Sequence, residues 1–358
     1  MRKIRDSYSD FMEKKRVRNL VINVVMFSIG IIVIGIMLYV IGAENVRDVL
    51  LKADLTLVLL ALIPMFCIIA SKLIRWWLLF RETSFLNASR VYLIGQAMNL
   101  FAPIGTGEVT RAAIAKAKLG IKARDTMAAV VIERISDMTF LVAMAGVCII
   151  LFVPGYENMF FMFILIFVLA IAYFLLFRPE FFDRIAVFIE RLFEKRGKFL
   201  TRLSLKISVS ISKFKGAIIK YHERKAVLGI NIVLTISGWL LEAVLTYTLL
   251  LAFGVTDPPF ILFILVINAM SWIARTFLFL PVGPKEVTFT FLMESLFDIP
   301  TDVGSAVAIV ILAINWVVLG SGAFISIITF KSKPVAKEKL EKTEEGKEEG
   351  TEEDEEAK

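Results

Sequence analysis

Histidine and cysteine are scarce: 358 residues hold one histidine, His222, and two cysteines, Cys67 and Cys148. So few nitrogen and sulfur ligands argue against a zinc or haem site and against a Cys–His nucleophile, and no cofactor or metal is expected. Both cysteines lie in apolar stretches and are expected to be buried thiols, uninformative about redox compartment. Short alternating strands are also missing, which excludes a membrane β-barrel. Sustained polar sequence occurs in only three places, residues 1–18, 178–225 and 331–358.

What fills the rest is apolar. Hydrophobic residues make up 58% of the chain, above the roughly 45–50% of soluble domains. Leu20–Gly42, Met159–Phe177 and Val303–Phe330 run without a charge, and Leu55–Phe80 and Ala226–Gly254 nearly so. A bilayer crossing needs about 20 apolar residues, and a lipid-exposed backbone must hydrogen-bond within its own helix. The expected fold is therefore an all-α polytopic membrane protein. The first stretch follows 18 residues that carry seven Lys or Arg and is longer than a signal-peptide core, so it reads as a retained signal anchor.

The net charge of +7 is no nucleic-acid signature, because it collects at membrane-flanking segments. Residues 178–225 hold thirteen Lys or Arg against five acids, a bias that marks the cytoplasmic side and suits anionic headgroups. Within that loop Phe181, Ile185, Phe188, Leu192 and then Phe199, Leu203, Ile207, Ile211, Phe214, Ile218 recur at helical spacing, which predicts interface-parallel amphipathic helices. Residues 331–358 are Glu- and Lys-rich and are expected to be a disordered charged tail.

One segment is written twice. Phe101-Ala-Pro-Ile-Gly-Thr-Gly-Glu-Val-Thr110 matches Phe279-Leu-Pro-Val-Gly-Pro-Lys-Glu-Val-Thr288 at six of ten positions, 178 residues apart. The same offset lays Ile121 on Ile299, Ala128 on Ala306 and Asp137 on Asn315. Copy one covers about 52–152 and copy two about 230–330, both within a membrane domain of residues 1–330. In copy one, Val91–Ala102 and Val109–Leu119 are each about 18 Å long as helices, too short to cross. They predict a re-entrant hairpin with its tip at Pro103, Gly105 and Gly107. Counting basic loops from a cytoplasmic N-terminus gives six spanning helices, two hairpins entering from opposite sides, and both termini cytoplasmic. Interrupted helices in an inverted repeat place a site at the membrane midplane. Phe260–Leu280 is itself long enough to span; its first third is taken as interfacial.

Ionisable residues inside such segments are candidate functional groups. Those around the motifs are Glu108, Arg111, Glu133, Arg134, Asp137, Arg275, Lys285 and Glu286, four acids and four bases. Arg134 is expected to meet Asp137 at i,i+3, and Glu108 to meet Arg111. Copy two has Ile311, Leu312 and Asn315 where copy one has Glu133, Arg134 and Asp137, so the chemistry is asymmetric. The half-helix N-termini at the tips attract anions. Asn99, Pro103, Gly105, Gly107 and Gly283 complete the candidate substrate-binding set, although Asn99 and Asn268 read first as helix–helix hydrogen-bonding residues. Trp76 and Trp77 are expected in an interfacial belt. Glu242 is either a partner for Arg275 or a proton carrier.

These motifs, Asn99-x-x-x-Pro103-x-x-x-Gly107-Glu108-x-x-Arg111, Glu133-Arg134-x-x-Asp137 and Pro281-x-Gly283-x-x-Glu286, resemble the transmembrane region of lysylphosphatidylglycerol synthase, a flippase-like family. The resemblance covers about residues 15–330. It implies movement of a lipid between leaflets, with no catalytic domain of the kind some members carry. Pro284 and Lys285 depart from the small residues expected at the second tip. The leading expectation is a non-enzymatic translocase in the cell membrane that moves an anionic phospholipid or lipid-linked precursor, with membrane lipids and a possible cytoplasmic transferase as partners. An ion-coupled small-solute transporter, a headgroup-modifying enzyme using Glu133 and Asp137, and a membrane anchor for a soluble transferase remain alternatives.

Overall fold

Gly42 divides the first apolar stretch. With φ at +92° it ends helix α1 (Phe27–Ile41) and turns the chain by 88° into α2 (Ala43–Leu51). This short helix buries Val46 against the core and leaves Asn45, Arg47 and Asp48 outside. Asp54 then opens α3 (Leu55–Leu79), its carboxylate accepting from the amides of Thr56 and Leu57. There follow α4 (Phe85–Phe101), α5 (Thr106–Leu119), α6 (Ala123–Phe152), α7 (Lys225–Ala252), α8 (Ile261–Leu278), α9 (Pro284–Phe297) and α10 (Thr301–Thr329). The structure is a computed structural model. It describes residues 24, 25, 27–81, 83–102, 105–152, 180, 183–185, 187, 188, 191, 211, 215, 219, 224–278 and 280–330. The expected helix 159–177, most of the amphipathic stretches within 181–218, Pro103, His222 and the tail 331–358 lie outside the described residues. Among the described residues there is no strand, and the fold is an all-α membrane protein.

By length and composition α3, α7 and α10 suit a bilayer crossing, at about 38 to 44 Å for 25 to 29 residues. The hairpin limbs are shorter. α5 and α9 each have 14 residues, about 21 Å, and cannot cross a core of roughly 30 Å. The first limbs correct the sequence reading. α4 starts at Phe85, capped by the Ser84 hydroxyl, six residues before the expected Val91, and α8 is continuous from Ile261. The polar residues of 84–90 and the apolar ones of 261–267 take the same helical path.

The 178-residue offset carries through to the backbone. Gly105 and Gly283 each precede the second limb of a hairpin with φ near +100°, at +99° and +104°. Gly120 and Asp298 each end that limb left-handed, Asp298 being the one non-glycine with positive φ among the described residues. Contacts pair the same way: α4 packs on α5 and on α10, as α8 packs on α9 and on α6, while α3 and α7 pack against each other.

Buried apolar residues form two clusters at opposite ends of the α3–α7 pair. One contains Trp76, Leu79, Val91, Ala115, Ala128 and Val227; the other contains Ala61, Met65, Leu249, Ala269, Met293 and Ala306. Val91 and Ala269, Ala115 and Met293, and Ala128 and Ala306 are partners under the offset. Between these two apolar caps lies the polar interior. Cys67 corrects another expectation: it is exposed on the outer face of α3, near Ile63, Phe66 and Ile74. The outside of this fold is itself apolar, so an apolar flank does not imply burial.

Tight backbone approach holds the first hairpin closed. A Cβ on Gly107 would collide with the Gly95 carbonyl and the Asn99 side chain, whereas one on Gly105 would meet nothing. Gly107→Ala should lose about 3 kcal/mol or fail to fold. Gly105→Ala should lose only about 1 to 2 kcal/mol, the cost of a side chain at positive φ. Thermal unfolding of the two variants in detergent checks this ordering.

Candidate functional site

α3 through α10, α5 excepted, enclose a cavity of about 140 Å³. Its lining falls in the central parts of the long helices, residues 65–75 of α3, 234–242 of α7 and 308–319 of α10. Both tips lie at the same level. Phe101, just before the first tip, packs against Phe27 of α1 and Trp316 of α10, with ring centroids 5.8 and 5.9 Å apart. Val282 and Gly283 of the second tip press on Gly30 and Val33 of α1, where a Cβ on Gly30 would lie 2.7 Å from the Val282 carbonyl oxygen. Arg275 near the end of α8 donates to the Asn99 carbonyl oxygen near the end of α4 at 3.1 Å. The two first limbs therefore meet close to their tips. Pro103 lies outside the described residues.

Arg111 organises the first half of the site. It is fully buried and its guanidinium lies over Trp76 and Tyr92, 4.7 and 5.1 Å from the ring centroids. One end donates to Glu133 at 2.9 Å and the other reaches Glu108 at 3.4 Å. Glu108 also accepts from Arg134 and from the Asn99 amide at 3.3 Å. Asn99 closes the turn by accepting from the Gly107 amide at 2.7 Å. Glu108, Arg111, Glu133 and Arg134 thus form one connected group with the hairpin tip. Asn268 instead ties α8 to α7 through the Glu242 carbonyl oxygen and the Thr246 hydroxyl.

Four cavity residues, Lys72, Arg75, Asp137 and Glu242, were missed or differently paired in the sequence reading. Asp137 pairs with Arg75 of α3 at 2.9 Å, not with Arg134, and Arg75 also donates to Asn231 of α7 at 2.9 Å. Lys72, one turn earlier on α3, lines the cavity as well. The spacing 65, 68, 72, 75, 79 of the buried α3 stripe contains both cations and was the available signal. Glu242 pairs with Lys285 at 2.8 Å and accepts from the Trp272 indole at 2.8 Å; it is not the partner of Arg275. Arg275 and Lys285 both lie over the Trp272 ring, at 5.0 and 4.7 Å. Trp76 is only 2% exposed. It is the platform under Arg111 and not part of an interfacial belt.

The second tip is built differently from the first. Glu286 accepts from the Gly283 amide at 2.7 Å, a one-way cap on the N-terminus of its own helix. Where copy one has Arg111, copy two has Phe289, 2% exposed in the apolar core. Copy one therefore holds the larger group of ion pairs, with copy two contributing the Glu242–Lys285 pair, Arg275 and Glu286.

A family model described as "Lysylphosphatidylglycerol synthase TM region" matches residues 23–322. The chain is 25% identical over 248 residues to a UPF0104 membrane protein of Methanothermobacter thermautotrophicus, a match that covers 64% of this chain and 72% of the relative. No solved structure matches.

Removing Arg111 strands the buried Glu133 carboxylate and takes one of three donors from Glu108, whereas Arg134 has a side chain 36% exposed and leaves Glu108 with other donors. Arg111→Ala should therefore destabilise by about 3 to 5 kcal/mol and Arg134→Ala by about 1 to 2 kcal/mol. Unfolding measurements on both variants, with Arg111→Ala/Glu133→Ala recovering part of the loss, check the assignment.

Proposed function

Because the chain belongs to the lysylphosphatidylglycerol synthase transmembrane-region family, we propose that it is a flippase-like translocase. It passes an anionic phospholipid or lipid-linked precursor between leaflets through the central cavity. The observation that carries this reading is a charged chamber between two apolar caps, halfway along α3, α7 and α10. A headgroup in that chamber is equally far from both surfaces, and its acyl chains remain among the exposed apolar faces of the outer helices. Of the substrate set read from sequence, Asn99, Glu133, Arg134, Asp137, Arg275, Lys285 and Glu286 line the cavity and would face the headgroup, while Gly105, Gly107, Glu108, Arg111 and Gly283 are not among the lining residues.

Two features support an inverted arrangement of the copies. Equivalent hairpins occupy opposite ends of the α3–α7 pair, and the connection from α5 into the first turn of α6 carries Lys122 and Arg124 where that from α9 into α10 carries Asp298 and Asp302. Positive loops face the cytoplasm, which supports the reading of a multi-pass cell-membrane protein with both termini inside. An entering headgroup exchanges partners with the ion pairs on the wall, so charge is never left bare in a medium where it costs several kcal/mol. The rival reading of headgroup chemistry needs a free acid and base. Glu133 and Asp137 are instead each held by an arginine.

Purified protein in vesicles of phosphatidylcholine with labelled phosphatidylglycerol tests transport. Exchange faster than in protein-free vesicles is expected, and the neutral double variant Glu242→Gln/Lys285→Gln should fold and slow it about 10-fold, the effect of one lost charged contact. Equal exchange with and without protein would remove the proposal for that lipid. Topology has its own check in cells, with Cys67→Ser as background. Lys122→Cys should react with an impermeant thiol reagent only from the cytoplasmic side and Asp302→Cys only from the other.

A further inference from the structure

Five basic and four acidic side chains line the cavity among the described residues: Lys72, Arg75, Arg134, Arg275 and Lys285 against Glu133, Asp137, Glu242 and Glu286. The buried Glu108 and Arg111 behind them cancel, so the chamber carries an excess of one positive charge. The excess can be located. Arg75, Arg134 and Lys285 each have a carboxylate within 2.9 Å. Among the described residues Lys72 and Arg275 have none within 4 Å, and the buried Nε of Arg275 has no hydrogen-bond partner. Arg275 makes its one side-chain hydrogen bond to a backbone carbonyl. Glu286, the remaining carboxylate near it, is committed to the Gly283 amide. Two cations thus reach the chamber from α3 and α8 with their hydrogen-bonding capacity largely unspent.

From this we infer that Lys72 and Arg275 are the anion-binding groups of the chamber, and that the substrate headgroup is a monoanionic phosphodiester. The inference rests on the translocase reading and narrows it. A single negative charge brings the chamber to neutrality, which is the condition for a low-dielectric site to hold an ion without a large penalty. A phosphodiester supplies that charge and four oxygens for the free N–H groups of Lys72 and Arg275. A diphosphate or a phosphomonoester brings two or more charges and leaves the chamber negative. A zwitterionic headgroup brings no net charge and leaves the excess in place. Phosphatidylglycerol and a polyprenyl phosphodiester of a sugar share the required chemistry.

The test is binding to the full-length protein in neutral detergent, read by the change in tryptophan fluorescence or by lipid-induced thermal stabilisation. The probes are short-chain phosphatidylglycerol, a polyprenyl-phosphohexose, phosphatidylcholine and a polyprenyl diphosphate. At least one of the two phosphodiester monoanions should bind tightest, and which one does identifies the source. Lys72→Gln and Arg275→Gln should each weaken that binding about 10-fold or more, with Lys72→Arg restoring most of it. Lys72 has no carboxylate to strand, so Lys72→Gln should fold and should raise the unfolding temperature of the lipid-free protein. A purely structural lysine would lower it. The proposal is overturned if neither monoanion binds, if the diphosphate or phosphatidylcholine binds tighter, or if both Gln variants bind like wild type. Leaflet exchange separates the two claims: tight, Lys72-dependent binding without exchange removes translocation and leaves the anion site standing. Exchange that is indifferent to Lys72 and Arg275 does the reverse.

Discussion

Most of this fold answers to the requirement that a charge in the middle of a bilayer be paired. Arg111 is the clearest case: fully buried, stacked on Trp76 and Tyr92, and shared between Glu108 and Glu133. Four elements must be in place at once for that to occur. α3 supplies the tryptophan, α4 the tyrosine, α5 the arginine and α6 one carboxylate. The ion group is thus a positional constraint as much as a chemical one. It fixes the first hairpin against α6 and sets where the tip stops.

The apolar caps make the constraint possible. Each is formed by the same positions of the two copies, Ala128 with Ala306 and Ala115 with Met293, at opposite ends of the α3–α7 pair. Small side chains such as Ala115, Ala128 and Ala306 let the helices close tightly there, so water and lipid are kept from the charged layer. The polar layer is not duplicated in the same way. Phe289 and Ile311 stand where Arg111 and Glu133 would be repeated, and both belong to the apolar core. A near-symmetric frame therefore holds an asymmetric site.

Much of the frame was legible in the sequence because it depends on local signals. Apolar length gave the helices, and the repeated Pro-x-Gly segment gave both hairpins and the offset that Gly105 and Gly283, and Gly120 and Asp298, obey in the backbone. The site was less legible because its pairs are tertiary. Arg75 and Asp137 are 62 residues apart and Lys285 and Glu242 43 apart, so neighbour rules chose Arg134 for Asp137 instead. Lys72 and Arg75 were hidden by the hydropathy of the α3 stretch around them. The fate of a tryptophan next to an arginine, belt or platform, depends on which helix arrives beside it, and here α5 brings Arg111.

Helix α1 stands outside the duplication, yet it touches both tips, Phe101 through Phe27 and Gly283 through Val33. If the two halves exchange roles as the chamber opens to one side and then the other, their own contacts are interchanged by the pseudo-symmetry. The contacts of α1 are not. Among the described residues it has no counterpart on the opposite side of the molecule, so in the proposed cycle a rearrangement that moves one tip along it loosens its grip on the other. In the proposed cycle this helix would make the two end states unequal in energy, giving a nearly symmetric machine a resting side.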